Sequence, residues 1–169
     1  MTAVCNHIRS LEAYIERGGA RLVRTSLPEW VHGRVHHGLI TLRAGLSPEQ
    51  ELLALVHEVA HWLAHRDVRS GLHCTLFEYE AEAVEALVMA RLGMPRPARA
   101  PTDAGYDNPT DGLLPASVAR VLYASGRICE ALGLETQASV HVEAPSGEEI
   151  VLKDKPYGVS NLLGSAQAL

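Results

Sequence analysis

The sequence contains little of several features that mark particular classes of protein. Its three cysteines (Cys5, Cys74 and Cys129) are far apart and lack C-x-x-C spacing, so we expect no disulfide framework and a reducing, cytoplasmic setting. Aromatic residues make up only 5% of the chain, and no apolar run is long enough to predict a membrane span. The net charge of −5 does not favour nucleic-acid binding, which usually needs a basic patch.

The remaining composition is typical of a globular protein, and 169 residues suit a single domain over 1–169. Apolar periodicity and turn residues predict helices at 4–17, 47–65, 76–92 and 115–132, and strands at 20–25, within 30–42, at 139–142 and at 150–153. This mixture predicts an α+β fold with its core at about 4–95 and a C-terminal helix and hairpin at about 113–155. Residues 94–112 are rich in Pro, Gly and Asp and predict an irregular loop.

The helix predicted at 47–65 begins with strong local signals. Ser47 is a preferred N-cap, Pro48 suits the first helical position, and Gln50 completes an S-x-x-Q capping box. Apolar residues then recur at three- and four-residue steps and form one stripe, which consists of Leu52, Leu55, Val56, Val59 and Leu63. A capped amphipathic helix is therefore expected here.

This helix carries an H-E-x-x-H pattern at 57–61. Residues four apart lie on the same helix face, so His57 and His61 could offer two imidazoles to one metal ion, with Glu58 beside them as a base. The pattern also arises by chance in unrelated helices, where it has no chemical role. Its position on a capped amphipathic helix favours a half-buried metal site.

A catalytic zinc ion usually has three protein ligands, so a third ligand is needed. Asp67 stands where a metzincin-like pattern has its last ligand, but Ala64 replaces the glycine that this pattern needs. Glu78 and Glu80 on the following helix are the other candidates. Glu78 could instead belong to a capping box with Thr75, whereas Glu80 lies on the apolar side and would be unfavourable unless paired. Periodicity does not choose between the two glutamates.

The stretches HEVAHWLAH and FEYEAEAVEALVMARLGMP resemble the ImmA/IrrE-type metallopeptidases and the related ArdC-like metallopeptidase domains over roughly residues 4–95. The resemblance implies a minimal zincin-like domain, in which a small antiparallel or mixed sheet packs on the H-E-x-x-H helix and on a crossed helix that bears a glutamate. It implies that His57, His61 and Glu78 bind Zn²⁺ and that Glu58 is the catalytic acid/base. Glu82 would orient one of the ligand histidines.

The resemblance also implies a function, namely zinc-dependent hydrolysis of peptide bonds in a specific regulatory protein such as a transcriptional repressor. A predicted edge strand before the active helix could pair with an extended peptide. Residues that could stabilise the oxyanion are Tyr79, Tyr106, Tyr123 and His73. The other histidines are expected on the surface or in loops, namely His32, His36, His37, His65 and His141.

Two alternatives remain open from the sequence. The first is a non-catalytic ArdC-like module for antirestriction or single-stranded DNA binding, supported locally by Arg91, Arg96 and Arg99. The acidic total charge argues against it, because phosphate binding depends on cationic contacts. The second is a structural zinc site or an inactive peptidase fold, although closed structural sites usually contain cysteine.

Overall fold

The computed structural model describes residues 2–65, 74–94 and 115–134, together with two short strands at 141–143 and 149–151. The chain divides into two compact units, Met1–Leu134 and Glu135–Leu169. The first unit contains the elements α1 (Ala3–Arg17), β1 (Arg21–Thr25), β2 (Gly33–His36), β3 (Leu39–Arg43), α2 (Pro48–His65), α3 (Cys74–Arg91) and α4 (Pro115–Ala131). In the second unit, β4 (His141–Glu143) pairs antiparallel with β5 (Glu149–Val151). The predicted α+β class is confirmed.

The first unit has a three-stranded mixed sheet in the order β1-β3-β2. Strands β1 and β3 are parallel, whereas β2 and β3 form an antiparallel hairpin. The hairpin turn consists of His37 and Gly38, whose φ angles of 46° and 74° are those of a tight two-residue turn that matches the strand twist. Among the described residues, β1 and β2 are therefore the edge strands of this sheet.

Helix α2 is the centre of the first unit, because it packs against α1, α3, α4, β2 and β3. Four residues of its predicted apolar stripe (Leu52, Leu55, Val56 and Val59) have no exposed surface. The capping box is present: the Gln50 N–H donates to Ser47 Oγ at 3.2 Å, and the Ser47 N–H donates to Gln50 Oε1 at 3.1 Å. These contacts fix the start of the helix that carries the candidate site.

Helices α3 and α4 cover α2 and also pack against each other. Helix α3 ends before Gly93, whose φ of 66° suits the left-handed position after a helix. Of the loop predicted at 94–112, the structure describes only residue 94. None of the helices that the structure describes combines the length and the apolar character needed to cross a bilayer.

Candidate metal centre

His57 and His61 on α2 meet Glu78 on α3, and we call these three residues the ligand cluster. The Nε2 atoms of the two histidines are 3.1 Å apart. Glu78 Oε2 lies 3.4 Å from His57 Nε2, and Glu78 Oε1 lies 3.4 Å from His61 Nε2. The structure thus brings Glu78, and not Glu80, together with the paired imidazoles. Since α3 begins at Cys74, Thr75 lies inside the helix rather than before it as an N-cap.

The spacing of the ligand cluster fits a tetrahedral zinc ion. In a tetrahedron, two ligand atoms are separated by about 1.6 bond lengths, so zinc bonds of about 2.0 to 2.1 Å imply separations of about 3.3 to 3.4 Å. The Nε2–Nε2 separation of 3.1 Å is close to such an edge, and so are the distances of 3.4 Å from His57 Nε2 to Glu78 Oε2 and from His61 Nε2 to Glu78 Oε1. One ligand atom from each of the three residues lies within 4.8 Å of the other two. Two imidazole nitrogens and one carboxylate oxygen are also a donor set that zinc accepts in catalytic sites, with a fourth position left for water.

The His57 ring is oriented by Glu85. Its Nδ1–H can donate to Glu85 Oε2 at 3.2 Å, which directs Nε2 at the ligand cluster and makes Nε2 the nitrogen that gives up its proton when a metal binds. Glu85 is buried, at 5% exposure. This contact was not predicted from the sequence, although Glu78, Glu82 and Glu85 share one helix face by their spacing. Glu82 is half-buried, and its role in orienting a histidine stays a prediction.

The His61 ring is oriented by His65, which is hydrogen-bonded in turn to Glu80 on α3 and through it to Arg120 on α4. His61 Nδ1 lies 3.1 Å from His65 Nδ1, and His65 Nε2 lies 2.9 Å from Glu80 Oε2. Arg120 then donates twice to Glu80, from Nε at 2.8 Å and from Nη2 at 2.5 Å. We call His65, Glu80 and Arg120 the buried polar chain.

The expectation that His65 lies on the surface is wrong. Its side chain is only 8% exposed, and its ring stacks on Phe77 with the ring centroids 4.2 Å apart. His65 follows His61 by four residues, so it lies on the same face of α2, and that face is covered by α3. The histidines of the β2 region behave as predicted, since His32, His36 and His37 are all exposed.

Glu58, the predicted base, is only 6% exposed and lies against the edge strand. A Cβ atom at Gly33, the first residue of β2, would be 2.7 Å from Glu58 Cγ and 2.9 Å from Glu58 Oε1. Burial raises the pKa of Glu58, and the nearby imidazoles of His57 and His61 oppose this only in part. The carboxylate therefore accepts a proton more readily near neutral pH than an exposed glutamate does.

The electrostatics differ among the other charged groups. Burial acts to lower the pKa of His57. Hydrogen bonds with Glu78 and Glu85 outweigh this effect, and the pKa rises to about 9. The neighbouring His57 and His61 rings hold the pKa of Glu78 well below its usual range. Burial acts to raise the pKa of Glu80, but hydrogen bonds from Arg120 and His65 lower it to about 2. Without a metal, the ligand cluster is thus held together by an imidazolium–carboxylate pair.

The structure leaves several predicted residues untested. Asp67, His73, Tyr106, Arg96 and Arg99 lie outside the described residues. Tyr79 is half-buried and Tyr123 is exposed, and the oxyanion role considered for each stays a prediction.

Comparisons with protein-family models, with curated proteins and with solved structures found no significant match to this chain. The ligand cluster and its surroundings therefore carry the functional interpretation.

Proposed function

We propose that this chain is a zinc-dependent metallopeptidase, in which His57, His61 and Glu78 hold the metal ion. The observation that carries the proposal is that the two Nε2 atoms lie 3.1 Å apart and that each lies 3.4 Å from one of the two oxygens of the Glu78 carboxylate. Both ligand histidines have an Nδ1 partner, so both direct Nε2 at the same point. When bound, zinc would supply a water with its pKa lowered to about 7 and would polarise a carbonyl oxygen.

Glu58 would accept the proton of the attacking water and return it to the leaving amine. Its carboxylate is close enough to His57, His61 and Glu78 to interact with their charges, and burial raises its pKa. A base whose pKa is shifted toward the working pH contributes about 10²- to 10⁴-fold to such a reaction. Glu58 thus combines the position and the proton affinity of a general base.

The edge strand β2 supports a peptide as the substrate. The Arg43 N–H donates to the His32 carbonyl, so these residues form a hydrogen-bonded pair of the hairpin. Because such pairs alternate along antiparallel strands, Gly33 and Val35 direct their backbone N–H and C=O groups away from β3. An extended peptide could therefore add to β2 with its scissile bond near Glu58.

The resemblance supports a regulatory protein, such as a transcriptional repressor, as the substrate, and we place the activity in the cytoplasm. The order of the described elements supports the zincin-like arrangement, since a mixed sheet precedes the H-E-x-x-H helix and the Glu78 helix packs on that helix. Single-stranded DNA binding receives no support from the described residues.

The proposal is tested with Glu58→Gln, which keeps the shape of the side chain but removes the base. Wild-type protein and variant, both loaded with zinc, are incubated with a degenerate peptide library, and the products are read by mass spectrometry. We expect cleavage by the wild type, at least about 100-fold less by the variant, and equal zinc content in both. Equal cleavage by Glu58→Gln would refute the role of Glu58, and absence of cleavage by the wild type would refute the proposed function.

A further inference from the structure

We propose that Arg120 on α4 is a positioning residue for the metal ligand His61, acting through Glu80 and His65. The proposal rests on the proposed metal site but concerns a part of the chain beyond the motif helices. Arg120 is 40 residues from Glu80 in sequence, and α4 lies outside the region that resembles known metallopeptidases.

The hydrogen bonds of the buried polar chain admit one consistent arrangement of protons. Arg120 has only donors, so both Glu80 oxygens accept from it. Glu80 Oε2 also accepts from His65, so His65 carries its proton on Nε2 and exposes an unprotonated Nδ1. That Nδ1 can only accept, so His61 donates from its own Nδ1 and keeps Nε2 unprotonated for the metal. The arginine on α4 thereby determines the tautomer of a ligand on α2.

The geometry of the buried polar chain is restrained along its length. The His65 ring stacks on Phe77 and forms hydrogen bonds with His61 and Glu80. Glu80 has no exposed surface, so solvent does not replace its protein partners. Arg120 Nη2 also donates to Ser117 Oγ at 3.2 Å. Because Ser117 lies one turn before Arg120 on α4, this bond holds the guanidinium against its own helix. The His65 imidazole, the Glu80 carboxylate and the Arg120 guanidinium therefore each have one favoured orientation.

Packing alone does not explain this arrangement. A buried ion pair contributes little net stability compared with apolar residues of similar size, since both charges lose their hydration. Glu80 has no exposed surface, and its carboxylate accepts hydrogen bonds from His65 and Arg120. A positioning role accounts for the polar residues, because the partners of metal-ligating histidines usually fix the ring and its tautomer.

The test uses the paired variant Glu80→Leu/Arg120→Leu, because removal of both charges leaves neither one buried alone. The control is Arg127→Leu, an exposed arginine of the same helix that pairs with Glu130. Three quantities are compared with the wild type: the melting temperature, the zinc dissociation constant from competition with a chelator, and the visible absorption of the Co²⁺-loaded protein. The protonated nitrogen of His61 is also assigned in the metal-free protein at pH 8 from ¹⁵N side-chain NMR.

We expect the paired variant to bind zinc about 10- to 100-fold more weakly than the wild type, with a changed Co²⁺ spectrum. In the metal-free protein, His61 of the paired variant should lose its preference for the Nδ1–H tautomer. Arg127→Leu should leave the zinc affinity, the Co²⁺ spectrum and the His61 tautomer unchanged. Arg120→Lys, which keeps the charge but loses the two-pronged geometry, should fall between the two.

Wild-type zinc affinity and an unchanged His61 tautomer in the paired variant would overturn the positioning role. If the wild type binds no zinc, the proposed function fails, but the metal-free tautomer still decides this inference: a His61 proton on Nδ1 in both proteins contradicts it. If the paired variant does not fold, Arg120→Lys carries the same comparison, and a wild-type tautomer and spectrum there would contradict the inference.

Discussion

Glu78 and Glu80 lie two residues apart on α3 but have opposite surroundings. Glu78, in the ligand cluster, is about half exposed, and its carboxylate faces two imidazoles. Glu80, in the buried polar chain, has no exposed surface, and its carboxylate is neutralised by Arg120. A shift of two residues rotates a side chain about halfway around a helix, so one helix supplies both regions.

The buried polar chain and the ligand cluster differ in how their charges are balanced, and this difference indicates what each can do. The buried polar chain contains its own cation, so its charges are balanced without any ligand. The ligand cluster is balanced only when an imidazole takes up a proton or when a cation binds to its three donors, which is the linkage expected for a metal site. The predictions below separate the two regions by removing one glutamate at a time.

The largest effect on stability is expected for Glu80→Ala. It removes the fully buried partner of Arg120, whose own side chain is 18% exposed, and breaking a buried pair costs about 3 to 5 kcal/mol. Urea unfolding of the metal-free protein measures the change. The matched control is Glu12→Ala, which breaks the exposed pair with Arg24 and should change the free energy of unfolding by less than about 1 kcal/mol. A loss in Glu80→Ala no greater than in the control would contradict the proposed contrast.

The reverse pattern is expected for Glu78→Ala. The variant loses one of three ligands, so its zinc affinity should fall by more than the roughly 10- to 100-fold typical of residues that merely support ligands. Its unfolding free energy without metal should change far less than that of Glu80→Ala, because Glu78 is half exposed. Chelator competition and urea unfolding measure the two quantities. Unchanged zinc affinity would remove Glu78 from the site.

The pH dependence of stability should differ between wild-type protein and Glu80→Gln. The folded-state pKa of Glu80 is lowered to about 2 from an ordinary 4.5, so its contribution is present above pH 4.5 and is lost as the pH falls toward 2. The stability difference between the two proteins should therefore shrink on acidification, by up to about 3 kcal/mol. Urea unfolding between pH 6 and pH 2 measures it, and a constant difference would contradict the pairing.

A smaller effect is expected for Gly33→Ala, which sharpens the role of Glu58. The new Cβ would lie under 3.0 Å from Glu58 Cγ and Oε1, so either the carboxylate or the strand must shift. We expect peptide cleavage to fall by about 10-fold, with unchanged zinc affinity, because the base is displaced and the ligands are not. Gly126→Ala on α4 is the matched control, since its Cβ would meet nothing within 4 Å. Equal activities of the two variants would contradict the close approach of Gly33 to the Glu58 side chain.

Local signals in the sequence predicted most of the elements. The capping box of α2, its apolar stripe and the glycine that follows α3 depend on residues near one another in the chain, and each was confirmed. The pair of histidines could be predicted for the same reason, because a four-residue spacing fixes their common face.

The partners of those histidines depend on how helices pack, which spacing does not reveal. Glu78 and Glu80 were equivalent by periodicity, and only the packing of α3 on α2 separated them. Arg120 carried no local signal, since its partner is 40 residues away. His65 was predicted on the surface or in a loop, whereas α3 covers it.

The central claim is that His57, His61 and Glu78 bind one zinc ion, and X-ray absorption of the zinc-loaded protein tests it most directly. We predict one zinc per chain, bound only by nitrogen and oxygen at about 2.0 to 2.1 Å, with two imidazoles among the ligands. The same spectrum of Glu78→Ala should show an altered site. Failure to bind one equivalent of zinc, or sulfur ligands at about 2.3 Å, would contradict the account.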